Sequence, residues 1–167
     1  MAKTEEGIRN VLPVLQQQGV TLALENNEAF SAAEFAGLIG RIGSPMVGIC
    51  MDTANSLGRS ETVKTVVENL AEHTVMLHAK DYDIRRIDTR MGFSVIGRAV
   101  GEGRVDFDWV LGELRKRGRD HINVIVEHWP PFEESIEATV QLEDEWLARS
   151  VQFLRSKLSI PPEETMH

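Results

Sequence analysis

Four apolar segments of this chain each end on a side chain of metal-binding type. They are TLALE ending at Glu25, GICMD at Asp52, TVMLH at His78 and NVIVE at Glu127. Each is short and nearly all apolar, the pattern of a strand buried on both faces. Stretches with helical spacing separate them, so strands and helices take turns. That alternation restricts the fold to a parallel sheet covered by helices. In such α/β proteins the working groups lie just beyond the carboxyl ends of the strands, where these four side chains fall.

The helical stretches have recognisable ends. Ile8, Val11, Leu12 and Leu15 share a face that Gly19 terminates, and Pro13 within it is expected to bend the helix. Ser31 and Glu34 form a capping-box pattern ahead of Phe35, Leu38, Ile39 and Ile42, after which Gly43 and Pro45 break the chain. Val63, Val66, Val67 and Leu70 mark a third helix. Lys80 to Arg104, rich in Arg, Asp and Gly, reads as a long irregular stretch. Asp106 can cap a helix with Phe107, Val110, Leu111 and Leu114 facing inward and Gly118 as its stop. Ile136, Val140, Leu147, Val151 and Leu154 keep helical spacing through a long last helix.

The expected fold is therefore α/β, with parallel strands near 20–25, 46–52, 74–78 and 122–127 and about five helices over residues 1–158. Residues 159–167 carry no pattern and are expected to form a loose tail. Four strands make half of an eight-stranded (β/α) barrel of the TIM type, which takes about 250 residues. A half-barrel alone leaves two strand edges and an apolar interior uncovered. The chain is thus expected to join a homo-oligomer or a partner chain that completes the barrel, or to be an excerpt of a longer protein. A small open sheet is the third option.

Charge and cysteine content remove whole classes of function. The formal net charge of −8 disfavours a general nucleic-acid or anionic-membrane surface, which requires basic patches. The single cysteine, Cys50, lies in an apolar run and has no internal disulfide partner. No apolar stretch reaches the roughly 20 residues of a membrane span, and the N-terminus lacks a signal-type apolar region. These features point to a reduced, cytoplasmic setting.

Three carboxylates and one imidazole form an oxygen-rich ligand set suited to one divalent ion. Mn²⁺ is expected first, with Mg²⁺, Co²⁺, Zn²⁺ or Fe²⁺ compatible. A six-coordinate ion held by four side chains keeps positions for two neighbouring substrate oxygens. A hydroxy-carbonyl compound bound there has its carbonyl polarised and the adjacent C–H acidified. A carboxylate on each side can then remove and return a proton through an enediolate.

The strings LALENN, ICMDTANS, MLHAKD, VGEGRVDFDWVLGELRKRG and VIVEHW resemble the C-terminal half of the xylose isomerase-like TIM barrels. That group contains sugar and sugar-phosphate isomerases and epimerases together with endonuclease IV relatives. The resemblance covers nearly the whole chain and implies that Glu25, Asp52, His78 and Glu127 are its metal ligands. It also implies that Glu25 and Glu127 are the acid/base pair of an isomerase or epimerase acting on a sugar-like small molecule. A metal-dependent dehydratase or lyase, or a non-catalytic half-barrel subunit, is the alternative. Two positions depart from the epimerase pattern. Asn55 stands where a substrate-binding histidine is common, and Arg85 and Arg86 lie only near the place of a substrate-contacting arginine. The endonuclease relatives need three zinc ions and more histidines than this chain offers.

Other residues are open to two readings. Lys80 can meet a substrate oxyanion with Asp81 orienting it, or the pair can be a solvated loop. Asn26 and Asn27 can bind hydroxyls, hold Glu25 or form turns. Trp129, before Pro130 and Pro131, can wall the pocket against a sugar face. His128, if the strand continues, points away from the ligand side. Gly101-Glu102-Gly103 reads as a turn rather than a nucleotide loop. Arg115, Lys116, Arg117 and Arg119 read as a solvated helix end.

Overall fold

The computed structural model describes residues 1–88 and 91–158, so the tail expected at 159–167 lies outside the described residues. The chain divides into two compact units. One comprises Met1–Ala79 with Trp109–Ile125, the other Lys80–Asp108 with the residues from Val126 onward. Among the described residues no helix is long and apolar enough to cross a membrane.

The first unit carries the sheet. Its elements are α1 (Ala2–Gln18), β1 (Leu22–Glu25), α2 (Ala32–Ile42), β2 (Val47–Asp52), α3 (Val63–Leu70) and β3 (Thr74–Ala79). The body of α4 (Phe107–Lys116) and nearly all of β6 (Asn123–Val126) complete it. The strand order is β1-β2-β3-β6, with parallel pairing from β1 through β3. β2, flanked on both sides, is buried along its whole length, while the edge strands β1 and β6 are only partly covered.

Local chemistry sets the helix ends as the sequence predicts. Ser31 and Glu34 form a complete capping box on α2, and Gly43 ends it with a left-handed φ of 61°. Gly19 does the same for α1, which runs unbroken through Pro13. Cys50 is a buried free thiol.

The register between β2 and β3 contains a one-residue shift. Ile49 lies beside Thr74, but Cys50 lies beside Met76, so Val75 is extra on β3. From there Asp52 pairs with His78. Side chains alternate faces along a strand, so an unshifted register would set Asp52 beside Leu77 and turn His78 to the opposite face. Gly48 makes room for the extra residue. A Cβ there would come within 2.5 Å of Val75 Cγ1 and 2.9 Å of the His73 carbonyl oxygen.

The second unit holds a feature that the sequence reading missed. The stretch expected to be irregular contains an antiparallel hairpin of β4 (Asp81–Arg86) and β5 (Phe93–Arg98). Its strands are masked by charge. Asp83 is held by Arg104 at 2.8 Å and Arg98 at 3.7 Å, which lowers its carboxyl pKa, mainly through the Arg104 hydrogen bond. The Arg86 guanidinium lies 4.9 Å from the ring of Phe93, its cross-strand partner.

The loop after this hairpin is organised by one carboxylate. Asp81 is 1% exposed. Its Oδ1 accepts the N–H groups of Tyr82 (2.9 Å) and Val105 (3.0 Å), and its Oδ2 those of Gly101 and Gly103, both at 2.9 Å. Gly101 takes φ 90° and Gly103 lies directly against the Asp81 carboxylate, so both positions require glycine. Residues 101–103 are thus the turn that the sequence suggests.

The last helix, α5 (Ile136–Leu158), packs through Trp146, Ser150 and Leu154. Ser150 Oγ accepts the Val100 N–H at 2.8 Å, and Phe153 meets Phe107 edge-on. Ile136, Val140 and Leu147 keep helical spacing but are 70%, 51% and 45% exposed. The packed face is the neighbouring i, i+4 row of Trp146, Ser150 and Leu154.

Gly48→Ala is expected to lower stability by about 1–3 kcal/mol through overpacking against Val75. A chemical denaturation midpoint equal to that of the unsubstituted protein would contradict the tight Gly48–Val75 approach. Asp81→Ala leaves the buried N–H groups of Tyr82 and Val105 and the part-buried ones of Gly101 and Gly103 without their carboxylate, and is expected to cost at least about 2 kcal/mol. Hydrogen exchange at Gly101, Gly103 and Val105 should accelerate together in that variant.

Candidate metal centre

Three neighbouring strands deliver three ligand-type side chains to one place in the first unit. Glu25 ends β1, Asp52 ends β2 and His78 is the penultimate residue of β3. One donor atom from each lies within 4.8 Å of the others. His78 Nδ1 is 3.5 Å from Glu25 Oε1, with side-chain exposures of 20% and 41%, whereas Asp52 is fully buried. A buried floor with one partly open carboxylate leaves access from solvent. Two carboxylates and an imidazole at this spacing fit a hard or intermediate divalent ion.

Hydrogen bonds hold these side chains in place. Asp52 Oδ1 accepts the N–H groups of Ala54 and Asn55, both at 2.7 Å. The Asn26 carboxamide, also fully buried, accepts the Asp52 N–H at 2.7 Å and donates to the Asp52 carbonyl and to Ser56 Oγ, both at 3.0 Å. Asn55 Nδ2 donates to Glu25 Oε1 at 2.8 Å and to the Asn26 carbonyl at 3.3 Å. A buried carboxylate is tolerated only when hydrogen-bonded or coordinated, and this network supplies part of that requirement. Asn55, expected to bind substrate, is positioned to orient Glu25. Asn27 is exposed and its Oδ1 accepts the Ala29 N–H at 2.9 Å, which makes it a turn former.

The remaining candidates belong to the second unit. Glu127 is the residue after β6, and its Oε1 is 2.5 Å from the Nζ of Lys80. Lys80 is 1% exposed, with its ammonium 4.0 Å from the centroid of the Trp129 ring. Lys80 is therefore a buried, carboxylate-paired cation stacked on an aromatic face, and not a solvated loop residue. The expectation that Asp81 is a solvated or substrate-orienting partner is corrected, because its carboxylate is engaged by backbone N–H groups. Trp129 is half exposed, and Arg85 is exposed on β4 opposite Ser94.

His128 has a structural role. Its Nε2 lies 2.9 Å from Ser150 Oγ, and its ring meets Trp146 edge-on. Burial lowers its pKa, with a smaller opposing effect of Glu143. The basic run is tied locally. Lys116 and Arg117 pair with Glu113, and Arg119 donates to the Glu72 carbonyl.

Comparison with known proteins places this geometry. The family of xylose isomerase-like TIM barrels matches residues 1–157. The 3-oxo-isoapionate decarboxylase of Pectobacterium atrosepticum is 35% identical over 150 residues, which are 90% of this chain and 54% of that protein. A xylose isomerase domain protein from Planctomyces limnophilus superposes with a TM-score of 0.73 at 21% identity, covering 95% of this chain and 55% of that one. D-psicose 3-epimerase, solved in the presence of D-fructose, gives a TM-score of 0.66 at 17% identity and covers 94% and 56%. The two structural likenesses establish the fold, a parallel α/β arrangement matching half of a TIM barrel. The chain spans about half the length of the curated relative it matches.

Proposed function

The chain belongs to the xylose isomerase-like TIM barrel family, and we propose that it carries the one-metal centre of a lyase that decarboxylates a 3-oxo sugar acid. The observation that carries this reading is the convergence of Glu25, Asp52 and His78 from three adjacent strand ends. The 35% identity to a decarboxylase of a 3-oxo acid favours the lyase within the family. Glu127, next in line after β6, is proposed as the fourth ligand.

A bound divalent ion, with Mn²⁺ the first choice, would supply Lewis acidity toward a keto oxygen and its neighbouring hydroxyl. In decarboxylation the bond between the α-carbon and the carboxylate breaks, CO₂ leaves, and the electron pair passes to the keto group as an enolate. A proton must then reach the α-carbon. Glu25, the more solvent-open of the two carboxylates in the first unit, is the proposed donor, replenished from water. Lys80 contributes the fixed positive charge that compensates Glu127. Trp129 offers an apolar wall, and the rest of the barrel is proposed to come from further sequence, a second copy or a partner chain.

Isomerisation or epimerisation of a ketose remains the second reading, favoured by a glutamate at the end of β1 and another directly after β6. Such chemistry needs one carboxylate to take the proton and another to return it, roles that Glu25 and Glu127 would fill.

Incubation with Mn²⁺ and a 3-oxo sugar acid in D₂O is expected to release CO₂ and leave deuterium at the α-carbon. Chelation should abolish turnover, and Asp52→Asn should lower kcat/KM by at least about 100-fold, as loss of a ligand exceeds the effect of losing its supporting hydrogen bonds. Exchange into a ketose without CO₂ release would select the epimerase reading. Neither reaction in the Mn²⁺-loaded protein would overturn both.

A further inference from the structure

We infer that Asn26 is a positioning residue that sets Asp52 for metal binding, an inference that rests on the metal-centre reading above. Backbone pairing between β1 and β2 ends with Glu25 beside Cys50. Beyond that point the Asn26 side chain takes over. Its oxygen accepts the Asp52 N–H at 2.7 Å and its nitrogen donates to the Asp52 carbonyl at 3.0 Å. A primary amide carries one acceptor and two donors, the groups needed to stand in for a peptide unit of a neighbouring strand. The second donor goes to Ser56 Oγ, in the turn that follows Asp52.

The consequence is geometric. Two ligands come from adjacent strands, yet the backbone ladder stops before reaching the second of them. The carboxamide continues the tie between the β1 side and Asp52 past the last backbone pair. Asn55 then returns from the Asp52 turn to both Glu25 Oε1 and the Asn26 carbonyl. The ring Asn26–Asp52–Asn55–Glu25 thus couples the two carboxylate ligands through two asparagines. Asn26 is fully buried and has no direct path to substrate, so its effect runs through Asp52.

Two readouts test this on the purified chain. The first is amide exchange at Asp52 without metal. Asn26→Ala should accelerate it at least about 10-fold while amides in the middle of β2 stay protected, since one hydrogen bond of about 1.5 kcal/mol corresponds to roughly tenfold. The second is Mn²⁺ affinity, read from the electron paramagnetic resonance signal of the free ion, which should weaken roughly 10- to 100-fold. Asn26→Ser keeps a neutral polar group too short to reach both the Asp52 N–H and carbonyl, and should move both readouts in the same direction as Asn26→Ala. Should Asn26→Ala fail to fold, Asn26→Ser carries the test at both readouts. Ser56→Ala leaves both Asp52 bonds intact and should keep Mn²⁺ affinity within about twofold, well short of the loss from an outer hydrogen bond to a ligand. Folded Asn26 variants with unchanged Asp52 exchange and unchanged Mn²⁺ affinity would overturn the inference. Failure of the unsubstituted chain to bind Mn²⁺ would instead overturn the metal centre, with the exchange measurement still deciding whether Asn26 holds Asp52.

Discussion

The candidate site depends first on the one-residue shift between β2 and β3. Strand side chains alternate with a period of two, so a single extra residue decides which face a side chain occupies. Val75 supplies that residue, and Asp52 meets His78 across the ladder as a result. Gly48 is the permissive partner, because a side chain there would occupy the space of Val75. Bulges are uncommon in parallel pairs and recur beside functional sites, where they re-aim a side chain. This one joins two ligand-type residues that an unshifted register would have put on opposite faces.

Much of this was legible in the sequence. The four strands lie within a few residues of their expected positions, because each is an apolar run flanked by helix stops or turn residues. The convergence of Glu25, Asp52 and His78 follows from the rule that parallel strands present their carboxyl ends together. What the sequence withheld was anything that depends on partners distant along the chain. The hairpin of β4 and β5 is hidden because Asp83 and Arg86 read as loop residues until Arg98 and Arg104 are seen to pair with the first and Phe93 with the second. The packing face of the last helix was hidden for a related reason. Its apolar stripe at Ile136, Val140 and Leu147 is real, but the face it packs with is centred on Trp146 and Ser150. A serine on that face carries no apolar signal, although it accepts the Val100 N–H and meets His128.

Asp52 and Asp81 show most clearly why residue type alone could not assign roles. Asp52 ends β2 and Asp81 opens β4, both are buried, and the sequence marks both as candidates. Asp81 draws N–H groups onto both carboxylate oxygens, most of them from a loop about 20 residues away, and so fixes the backbone of that loop. Asp52 has its hydrogen bonds to Ala54 and Asn55 on one oxygen and its backbone clamped by Asn26. The first arrangement uses the carboxylate to build structure. The second uses structure to hold a carboxylate in position for something else.

The same distinction separates one buried lysine and one buried asparagine, each in its own unit, from ordinary packing. A lysine buried to 1% exposure would be costly if it served only to fill space, since desolvating an ammonium outweighs any packing gain. Lys80 is retained with a carboxylate at 2.5 Å and an aromatic face at 4.0 Å, contacts that compensate its charge without removing it. Asn26 directs three side-chain hydrogen bonds to the Asp52 backbone and the turn behind it. Apolar residues of equal volume would fill both positions at lower cost. Their presence is accounted for if each unit must hold a polar or charged group in a fixed place, a requirement that stability alone does not impose.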